Sequence, residues 1–270
     1  MNNFSVRLQT EQIMFLYRNS ILELNEHEFH TRYELFFSLS EGIELVSESG
    51  RRKLRPNTAV IIPKGTFHQF LHTHKDATYP RCVFKFDDIE EWGDLISRKF
   101  RKLRLLQCES ITENFLKICD VSTSKKSSLE KQILLKSYLA QILIDIDEVN
   151  TSNDVTSSVD AVSFLSSITK EAINYIGCNI DKELSLYTIA QSLHISPSHL
   201  SHKFKSDMNI SLHRFILNKR LIEANLKLSY GIPVMQVAEQ CGFRDYSNFY
   251  SQYKKRYGHA PSQYQKKRRH

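Results

Sequence analysis

The sequence predicts an α+β protein with two domains: an antiparallel β-barrel with helices at its C-terminal end, then an all-α domain built from a repeated helical motif. Three observations support this fold class. Apolar runs with period two occupy the first third of the chain, the period becomes helical from about Glu90, and one helical pattern occurs twice near the C-terminus. The 270 residues suffice for two domains, each with its own core.

The first third of the chain predicts several short strands. Apolar or alternating runs at residues 33–39, 42–46, 58–63 and 81–86 are separated by turn residues. Ser49-Gly50 is a hairpin turn signal between two of them. Short strands at this spacing are typical of an antiparallel barrel or sandwich. We therefore predict a β domain over residues 1–120.

An amphipathic helix is predicted inside a helical segment that spans residues 121–149. Leu135, Leu139, Ile142 and Ile146 fall at i, i+4, i+7 and i+11, so they form one apolar stripe. The stripe either forms a dimerisation contact or packs into its own domain, and the sequence leaves both open. Residues 150–160 are rich in Ser, Thr, Asn and Asp and predict a linker. The second domain is predicted over 161–270.

The positive charge of the chain is concentrated in the second domain. The whole sequence has 37 Lys and Arg against 30 Asp and Glu, a net charge of +7. Residues 171–270 hold 15 and 7 of these, a net charge of +8, which leaves −1 for residues 1–170. A solvated basic tail is the alternative, but residues 171–265 alone retain +4. The asymmetry predicts a C-terminal module that binds a polyanion, with nucleic acid as the leading candidate.

Several classes of protein are not expected from this sequence. The five cysteines are an odd number without a Cys-x-x-Cys pair, which favours a reducing, cytoplasmic location. The sequence has neither a secretory signal nor an apolar run long enough to span a membrane. It also lacks a nucleophile elbow, a P-loop and a dinucleotide fingerprint. We predict no enzymatic activity, no cofactor and no membrane partner.

The second domain contains an internal repeat. The apolar positions 189, 190 and 193 recur at 237, 238 and 241, an offset of 48, and positions 204, 205 and 208 recur at 253, 254 and 257, an offset of 49. Each copy predicts a helix, a tight turn and a second helix, over about 184–206 and 232–256. In the first copy Ser185 and Ser196 are expected helix N-caps, with Pro197 in the first turn. In the second, Gly242 suits a left-handed turn position and Asp245 an N-cap.

Such helix-turn-helix units place the second helix in the DNA major groove. The alternative is a helical bundle with polar outer faces. Groove insertion needs polar side chains on the outer face of that helix and cations beside it. The candidate base contacts are Ser198, Ser201, His202, Tyr246, Ser247, Asn248, Tyr250 and Ser251. The candidate phosphate contacts are Lys203, Lys205, Lys254, Lys255 and Arg256.

The repeated segment resembles the DNA-binding domain of the AraC/XylS family of bacterial transcription regulators, over about 100 residues. The residues that support the resemblance in the first copy are Leu184-Ser185-Leu186, Ile189-Ala190 and Leu193 to Lys205. Those of the second are Ile232, Val237-Ala238, Gly242-Phe243-Arg244-Asp245-Tyr246-Ser247-Asn248-Phe249, Tyr253-Lys254-Lys255, Gly258, Pro261 and Tyr264, with Arg220-Leu221 and Ala224 between the copies. Asn209 stands where the family usually has Gly, and Gln265 where Arg often follows the last Tyr. The resemblance implies that both recognition helices of one chain enter successive major-groove segments.

The first domain resembles a cupin barrel in part. His27, His30 and Glu34, followed by the run Pro63-Lys64-Gly65-Thr66-Phe67-His68, are similar to the two cupin motifs, which in metalloenzymes bring His and Glu to one metal. The spacing of His27 and His30 places them on opposite sides of a strand, and Asn57 replaces an expected Gly. We therefore predict no metal, and a cupin-like sensor whose small-molecule pocket lies near His30, Glu34, Phe36 and His68. A purely structural barrel is the alternative.

Together these features predict a sequence-specific, DNA-binding transcription regulator of the cytoplasm. We expect double-stranded DNA at a promoter as its partner, with RNA polymerase, a small-molecule effector and a second copy of the chain as further ones. The sequence leaves two alternatives open. One is a cupin metalloenzyme fused to a DNA-binding domain, and the other is a regulator without a ligand, controlled by its abundance or by a protein partner.

Overall fold

A computed structural model of the chain describes residues 4–20, 30–73, 77–150, 161–163 and 165–267. His27 and all but the first residue of the predicted linker 150–160 lie outside the described residues. Within them, no helix is both long and apolar enough to cross a membrane. The chain divides into two compact units, Met1–Ser47 with Arg51–Ser163, and Glu48–Gly50 with Phe164–His270.

The described residues of the first unit form two antiparallel sheets. The six-stranded sheet has the order β1-β2-β8-β3-β6-β9 and the four-stranded sheet the order β10-β5-β4-β7. Their strands are Phe4–Gln9 (β1), Ile13–Ser20 (β2), Tyr33–Ser38 (β3), Ile43–Ser47 (β4), Gly50–Leu54 (β5), Thr58–Ile62 (β6), His68–His72 (β7), Tyr79–Phe86 (β8), Arg104–Leu106 (β9) and Ala161–Ser163 (β10). The predicted antiparallel β architecture is thus observed as two sheets.

Both faces of the central strand β3 are buried, which explains its continuous apolar run. Leu35 and Phe37 point into a core that the large sheet shares with the helices of the unit, whereas Phe36 belongs to a second core with residues of β4 and β6. Phe36 and Phe37 are 2% and 0% exposed. Because side chains alternate along a strand, this arrangement requires apolar residues at consecutive positions.

The helices of the first unit cover one face of the large sheet. A 3-10 turn at Glu90–Trp92 precedes Gly93–Lys99 (α1), and the long helices are Glu109–Thr123 (α2) and Ser128–Asn150 (α3). The stripe of α3 that we considered for dimerisation is 0–1% exposed and belongs to the core of its own unit; its members are Leu135, Leu139, Ile142 and Ile146. The structure therefore supports core packing for these four residues, since side chains with no accessible surface do not contact a second chain.

Strand β10 lies at the predicted start of the second domain, residue 161, but pairs with a strand of the first unit. Ala161 and Ser163 pair with Arg52 and Arg51 of β5, and the unit division places them with the sheets. The predicted range 161–270 thus begins with a three-residue strand that belongs to the first unit.

The second unit is entirely helical among its described residues 165–267. The helices are Ser167–Cys178 (α4), Leu186–Ser192 (α5), Pro197–Met208 (α6), Leu212–Ser229 (α7), Val234–Gln240 (α8), Tyr246–Tyr257 (α9) and Pro261–Lys267 (α10). Helices α5 and α6 form the first helix-turn-helix, α8 and α9 the second, and α7 connects them. The predicted fold class, an antiparallel β domain with C-terminal helices followed by an all-α domain with two helix-turn-helix motifs, is confirmed.

Candidate nucleic-acid interface

The first helix-turn-helix is defined by two serine caps. The Ser185 hydroxyl accepts a hydrogen bond from the Thr188 backbone N–H at 3.0 Å, and the Thr188 hydroxyl accepts one from the Ser185 backbone N–H, which completes a capping box. Ser196 accepts from the His199 N–H at 3.2 Å, with Pro197 in the first turn of α6. Both predicted caps are confirmed. Between the helices, His194 has a φ of 55°, the left-handed conformation that allows a sharp turn.

The second helix-turn-helix uses an aspartate cap and two glycines. Asp245 accepts hydrogen bonds from the backbone N–H groups of Ser247 and Asn248, at 2.9 and 3.2 Å, as its sequence position predicts. Gly242 has a φ of 74° in the turn, and Gly258 ends α9 with a φ of 75°. A carboxylate at this position also interacts favourably with the N-terminus of the helix.

Each recognition helix has one buried and one exposed face. Leu200, Phe204 and Met208 of α6 are fully buried, as are Phe249 and Tyr253 of α9. All eight candidate base contacts are exposed: Ser198, Ser201, His202, Tyr246, Ser247, Asn248, Tyr250 and Ser251. Helical spacing therefore places polar hydroxyl, amide and imidazole groups on the outer face, as base recognition requires.

Our sequence interpretation missed an exposed residue of α6. His199 is exposed and, by the repeat offset of 49, occupies the same position as Asn248 in α9. The internal repeat contained the signal that would have identified it.

The five candidate phosphate contacts do not have equivalent surroundings. Lys205, Lys254 and Lys255 are exposed. Lys203 forms an ion pair with Asp207 at 3.3 Å, and Arg256 donates a hydrogen bond to the Asn218 side chain at 2.6 Å. Arg256 thus holds α9 against α7, and Lys203 is paired within its own helix α6, whereas the other three cations extend into solvent.

Asp207 and Arg256 anchor the two recognition helices, and the repeat offset of 49 relates their positions. The Asp207 carboxylate accepts hydrogen bonds from the hydroxyl groups of Ser166 and Thr169, at 2.6 and 2.7 Å, which joins α6 to the start of α4. Burial acts to raise the pKa of Asp207, but these hydrogen bonds and Lys203 lower it overall. Arg256 joins α9 to α7 through its bond to Asn218. One copy therefore uses an acidic anchor where the other uses a basic one.

Buried tyrosines strengthen the contact between α9 and α7. The Tyr253 hydroxyl donates to the Asn225 side-chain oxygen at 2.5 Å, and the Tyr257 hydroxyl donates to the Leu221 carbonyl at 3.2 Å. Burial raises the pKa of Tyr257 to about 12, so its hydroxyl remains a donor at neutral pH. Each bond satisfies a buried polar group that would otherwise be costly.

Arg220 of α7 connects the two helix-turn-helix motifs. Its guanidinium donates to the backbone carbonyls of Ile180 and Lys182, at 3.1 and 2.6 Å, just before α5. The same group lies against Gly242 in the turn of the second motif: a Cβ there would stand 2.7 Å from a guanidinium nitrogen and 2.6 Å from the Ile180 carbonyl oxygen. Glu183 and Arg244 form an ion pair across the same junction. We call these four residues, Glu183, Arg220, Gly242 and Arg244, the inter-motif clamp.

The predicted ligand-binding residues of the first unit lie close together. Glu34 and Phe36 are on one side of β3, and His30 Nε2 lies 2.6 Å from Glu34 Oε2 while His68 Nε2 lies 3.7 Å from it. Lys85 Nζ approaches the same oxygen at 3.2 Å. Phe36 stacks on Phe70 with a centroid distance of 3.7 Å. The residues His30, Glu34, His68 and Lys85 are called the buried ionic cluster below.

Electrostatics favour an ionised carboxylate in the buried ionic cluster. Burial alone would raise the pKa of Glu34, but the Lys85 charge and hydrogen bonds from His30 and His68 hold it well below its usual range. His30 Nδ1 lies 2.7 Å from the Arg32 carbonyl oxygen, so both of its ring nitrogens face acceptors.

Comparison with known proteins agrees with the geometry of the helical unit. A family model described as a helix-turn-helix domain matches residues 189–267. The chain is 26% identical over 258 residues to a probable transcriptional regulator, LumQ, of Photobacterium leiognathi, a match that covers 92% of this chain and 96% of the relative. It is 33% identical over 97 residues to the arabinose operon regulatory protein of Escherichia coli, which covers 35% of this chain and 33% of that relative.

One solved structure similar to the helical unit is the C-terminal domain of AraT, a response regulator from Geobacillus stearothermophilus. The two are 31% identical, with a TM-score of 0.38, over 39% of this chain and 89% of that domain. The helix-turn-helix family model at residues 189–267, the regulators among the relatives and the two helix-turn-helix motifs of the structure all indicate a DNA-binding regulator. The chain is similar to transcription regulators of the AraC/XylS family through its helix-turn-helix domain at residues 189–267, and it is a DNA-binding transcription regulator.

Proposed function

We propose that α6 and α9 of one chain enter successive major-groove segments on one face of double-stranded DNA, about 10 bp apart. The main support is that both helices expose polar side chains while a single helix, α7, holds both motifs in one compact unit. Ser198, Ser201, His202 and the corresponding residues of α9 then contact base edges. The aromatic rings of Tyr246 and Tyr250 suit contact with thymine methyl groups.

A selection from a random duplex library tests this proposal. The full chain is expected to enrich sequences with two preferred blocks separated by about one helical turn. The proposal would be contradicted if no sequence were enriched. It would also be contradicted if a single block were enriched and the same block were selected after the exposed residues of α9 had been replaced.

The phosphate contacts have a separate signature, the salt dependence of binding. Lys254→Ala should weaken binding to all sequences to a similar extent and reduce the slope of log K against log salt by about 0.9. Lys203→Ala is the matched control, because Lys203 is paired with Asp207 and its loss should lower thermal stability with a smaller change in slope. Equal changes in slope for the two variants would argue against the assignment.

We further propose that the first unit senses a small molecule at the buried ionic cluster, and that the chain acts in the cytoplasm as a regulator rather than an enzyme. The support is a group of ionisable side chains inside the sheet unit, with Glu34 2% and His68 0% exposed and His30 partly exposed at its edge. A thermal-shift screen of small metabolites should find a ligand whose stabilisation is lost in Glu34→Gln. A stabilising ligand that is unaffected by this change binds elsewhere and rejects the site.

A metal-binding first unit is the second candidate, because the donor atoms of His30, Glu34 and His68 all lie within 4.8 Å of one another. Two imidazoles and a carboxylate suit a divalent transition metal. Against this, the ammonium of Lys85 already contacts Glu34 at 3.2 Å, where it would repel a cation. Metal analysis of the protein after dialysis against zinc distinguishes the two: a stoichiometric ion that is lost in His68→Ala would favour the metal.

Homodimerisation is proposed through a different face of α3 from the one that the sequence indicated. Leu129, Ile133 and Ile144 are 67%, 56% and 49% exposed, and helical spacing places them on one side. Sedimentation should show a weaker dimer for Ile133→Glu than for Gln132→Glu, which adds the same charge at a neighbouring exposed position. Similar association of both variants would exclude this face.

Contact with RNA polymerase at the promoter is the remaining part of the proposal.

A further inference from the structure

Two cysteines of the first unit lie in contact across its main core. Cys82 is in β8, at the centre of the six-stranded sheet, and Cys119 is in α2, which packs on that sheet. Their sulfur atoms are 3.5 Å apart, and both residues are free thiols. They are 37 residues apart in the sequence, so only the fold brings them together.

The two thiols differ in exposure. Cys82 is 0% exposed, whereas Cys119 is partly exposed at the edge of the core. A hydrogen bond with Cys82 lowers the pKa of Cys119, against the opposing effect of partial burial. Burial, with the same hydrogen bond, raises the pKa of Cys82 well above its usual value. The pair therefore has a partly exposed sulfur that is more readily ionised and a buried sulfur in contact with it.

None of the other three cysteines, all of which lie in the described part of the chain, has this arrangement. Burial raises the pKa of Cys241 to about 12, which keeps it an unreactive thiol. Cys108 and Cys178 are more accessible but lie in other elements, Cys108 before α2 and Cys178 at the end of α4. Reactivity toward an oxidant depends both on thiolate character and on access, and the Cys82–Cys119 pair also has a second thiol within reach.

We propose that Cys82 and Cys119 form a redox-reactive dithiol, which a hydroperoxide oxidises to an intramolecular disulfide. This site is independent of the proposed small-molecule pocket and of DNA binding.

The reaction balances with the hydroperoxide as the two-electron oxidant. The Cys119 thiolate attacks the terminal oxygen of ROOH, the O–O bond breaks, and the alkoxide that leaves takes up the proton lost by Cys119 to give ROH. Cys119 is then a sulfenic acid. The Cys82 sulfur displaces the hydroxyl group from Cys119, forming the S–S bond, and its proton leaves with that hydroxyl as water. The two sulfurs must approach from 3.5 Å to a bond length of about 2.05 Å, a small shift of α2 over the sheet.

A consequence for the fold is that oxidation would tie α2 covalently to the central sheet. In the reduced state the contact between these elements is apolar, for example the stacked rings of Phe37 and Phe115 at 4.5 Å. A disulfide would restrict the movement of α2 relative to β8, so the first unit should become more resistant to unfolding when oxidised.

Peptide mapping of the full chain tests the proposal. The reduced protein is treated with a small excess of hydrogen peroxide, remaining thiols are blocked with N-ethylmaleimide, and trypsin digestion without reductant is followed by mass spectrometry. Trypsin separates residues 82–85 from 118–125, and Cys108, Cys178 and Cys241 fall in other peptides. We expect a cross-linked species of these two peptides, lighter by two hydrogen atoms than their sum and lost on treatment with dithiothreitol.

Two variants and one control make the outcome decisive. Cys119→Ser should abolish the cross-link, and Cys82→Ala should leave a sulfenic acid at Cys119 that dimedone traps. Cys178→Ser should form the cross-link as the unaltered chain does. Circular dichroism verifies that each variant is folded, and mapping of the unaltered chain does not depend on them. Oxidation confined to Cys108 or Cys178, or conversion of Cys119 to sulfinic acid without a cross-link, would overturn the proposal.

Discussion

The two helix-turn-helix motifs of the second unit reach the same backbone geometry with different residues. Each has one left-handed residue in its turn and another at the end of its recognition helix. In the first motif these are His194 and Asn209, with φ values of 55° and 56°, and in the second they are Gly242 and Gly258, with φ values of 74° and 75°. The left-handed conformation is therefore common to both motifs, whereas the surroundings of each residue decide whether it must be glycine.

The surroundings differ most at Gly242. A Cβ at this position would collide with the Ile180 carbonyl and the Arg220 guanidinium, whereas a Cβ at Gly258 would meet nothing within 4 Å. Glycine is therefore required at Gly242 for two reasons, the positive φ and the inter-motif clamp. At Gly258 only the first reason applies.

The largest expected effect follows from this difference. Gly242→Ala should destabilise the helical unit by about 2–4 kcal/mol, because overpacking adds to the strain of the left-handed conformation. Gly258→Ala is the matched control and should lose only about 1–2 kcal/mol, since strain acts alone. Thermal and urea unfolding of the full chain measure both. Equal losses would show that Arg220 and Ile180 can move aside at no cost.

The anchors of the two recognition helices give the next effect. Asp207→Asn should cost about 1.5 kcal/mol at pH 7, the low end of the range of about 1.5–3 kcal/mol that is usual for hydrogen bonds to a charged group, because the carboxylate is partly exposed. Because the folded-state pKa of Asp207 is lowered, its contribution is fully present above the unfolded value of about 3.9 and is lost as the pH falls through the folded value.

The melting temperatures of Asp207→Asn and the unaltered chain should therefore converge below about pH 4. Arg256→Gln is the control, since a guanidinium does not titrate in this range and its difference from the unaltered chain should not converge in the same way. Parallel pH profiles for the two variants would contradict the role assigned to the Asp207 carboxylate.

Equivalent exposed positions of the two motifs test DNA recognition. Asn248→Ala should lose about 1–3 kcal/mol of affinity for the selected duplex and less for unrelated DNA. His199→Ala, at the corresponding position of α6, should have its effect at the other block of the selected sequence. Binding titrations with duplexes altered in one block at a time measure this. If both variants alter preference in the same block, the two helices do not contact separate segments.

The smallest effect is expected at the turn of the first motif. His194→Gly removes a strained Cβ but increases the conformational freedom of the unfolded chain, and these effects nearly cancel, so stability should change by less than about 1 kcal/mol. Thermal unfolding measures the change. A loss above that range would mean that the His194 side chain makes a stabilising contact which glycine cannot replace.

The sequence predicted features that depend on local chemistry. The serine caps at Ser185 and Ser196, the aspartate cap at Asp245 and the turn at Gly242 follow from hydrogen-bonding groups at fixed distances along the chain, and all are confirmed. The apolar period likewise separated the buried and exposed faces of the recognition helices. Such local patterns are sufficient because the helix geometry itself fixes which residues share a face.

Features that depend on contacts between distant segments were missed or misassigned. The stripe that includes Leu135 and Leu139 has the same spacing whether it contacts its own sheet or a second chain, so only the fold distinguishes the two. The Cys82–Cys119 contact and the bonds of Arg220 to Ile180 and Lys182 join segments 37 to 40 residues apart. The buried ionic cluster was predicted in part, since Lys85 comes from a strand that no motif indicated.

The inter-motif clamp has a consequence for the DNA that this protein accepts. If Arg220 and Gly242 keep α6 and α9 at one separation, the two helices can contact only DNA blocks that lie at a matching separation. One base pair inserted between the two blocks would rotate the second by roughly 35° about the DNA axis and displace it by about 3.4 Å. A regulator whose two DNA-binding motifs move independently could still contact both blocks after such an insertion. This protein would have to bend the DNA or release one block. The spacing within its operators should therefore vary less than their sequence.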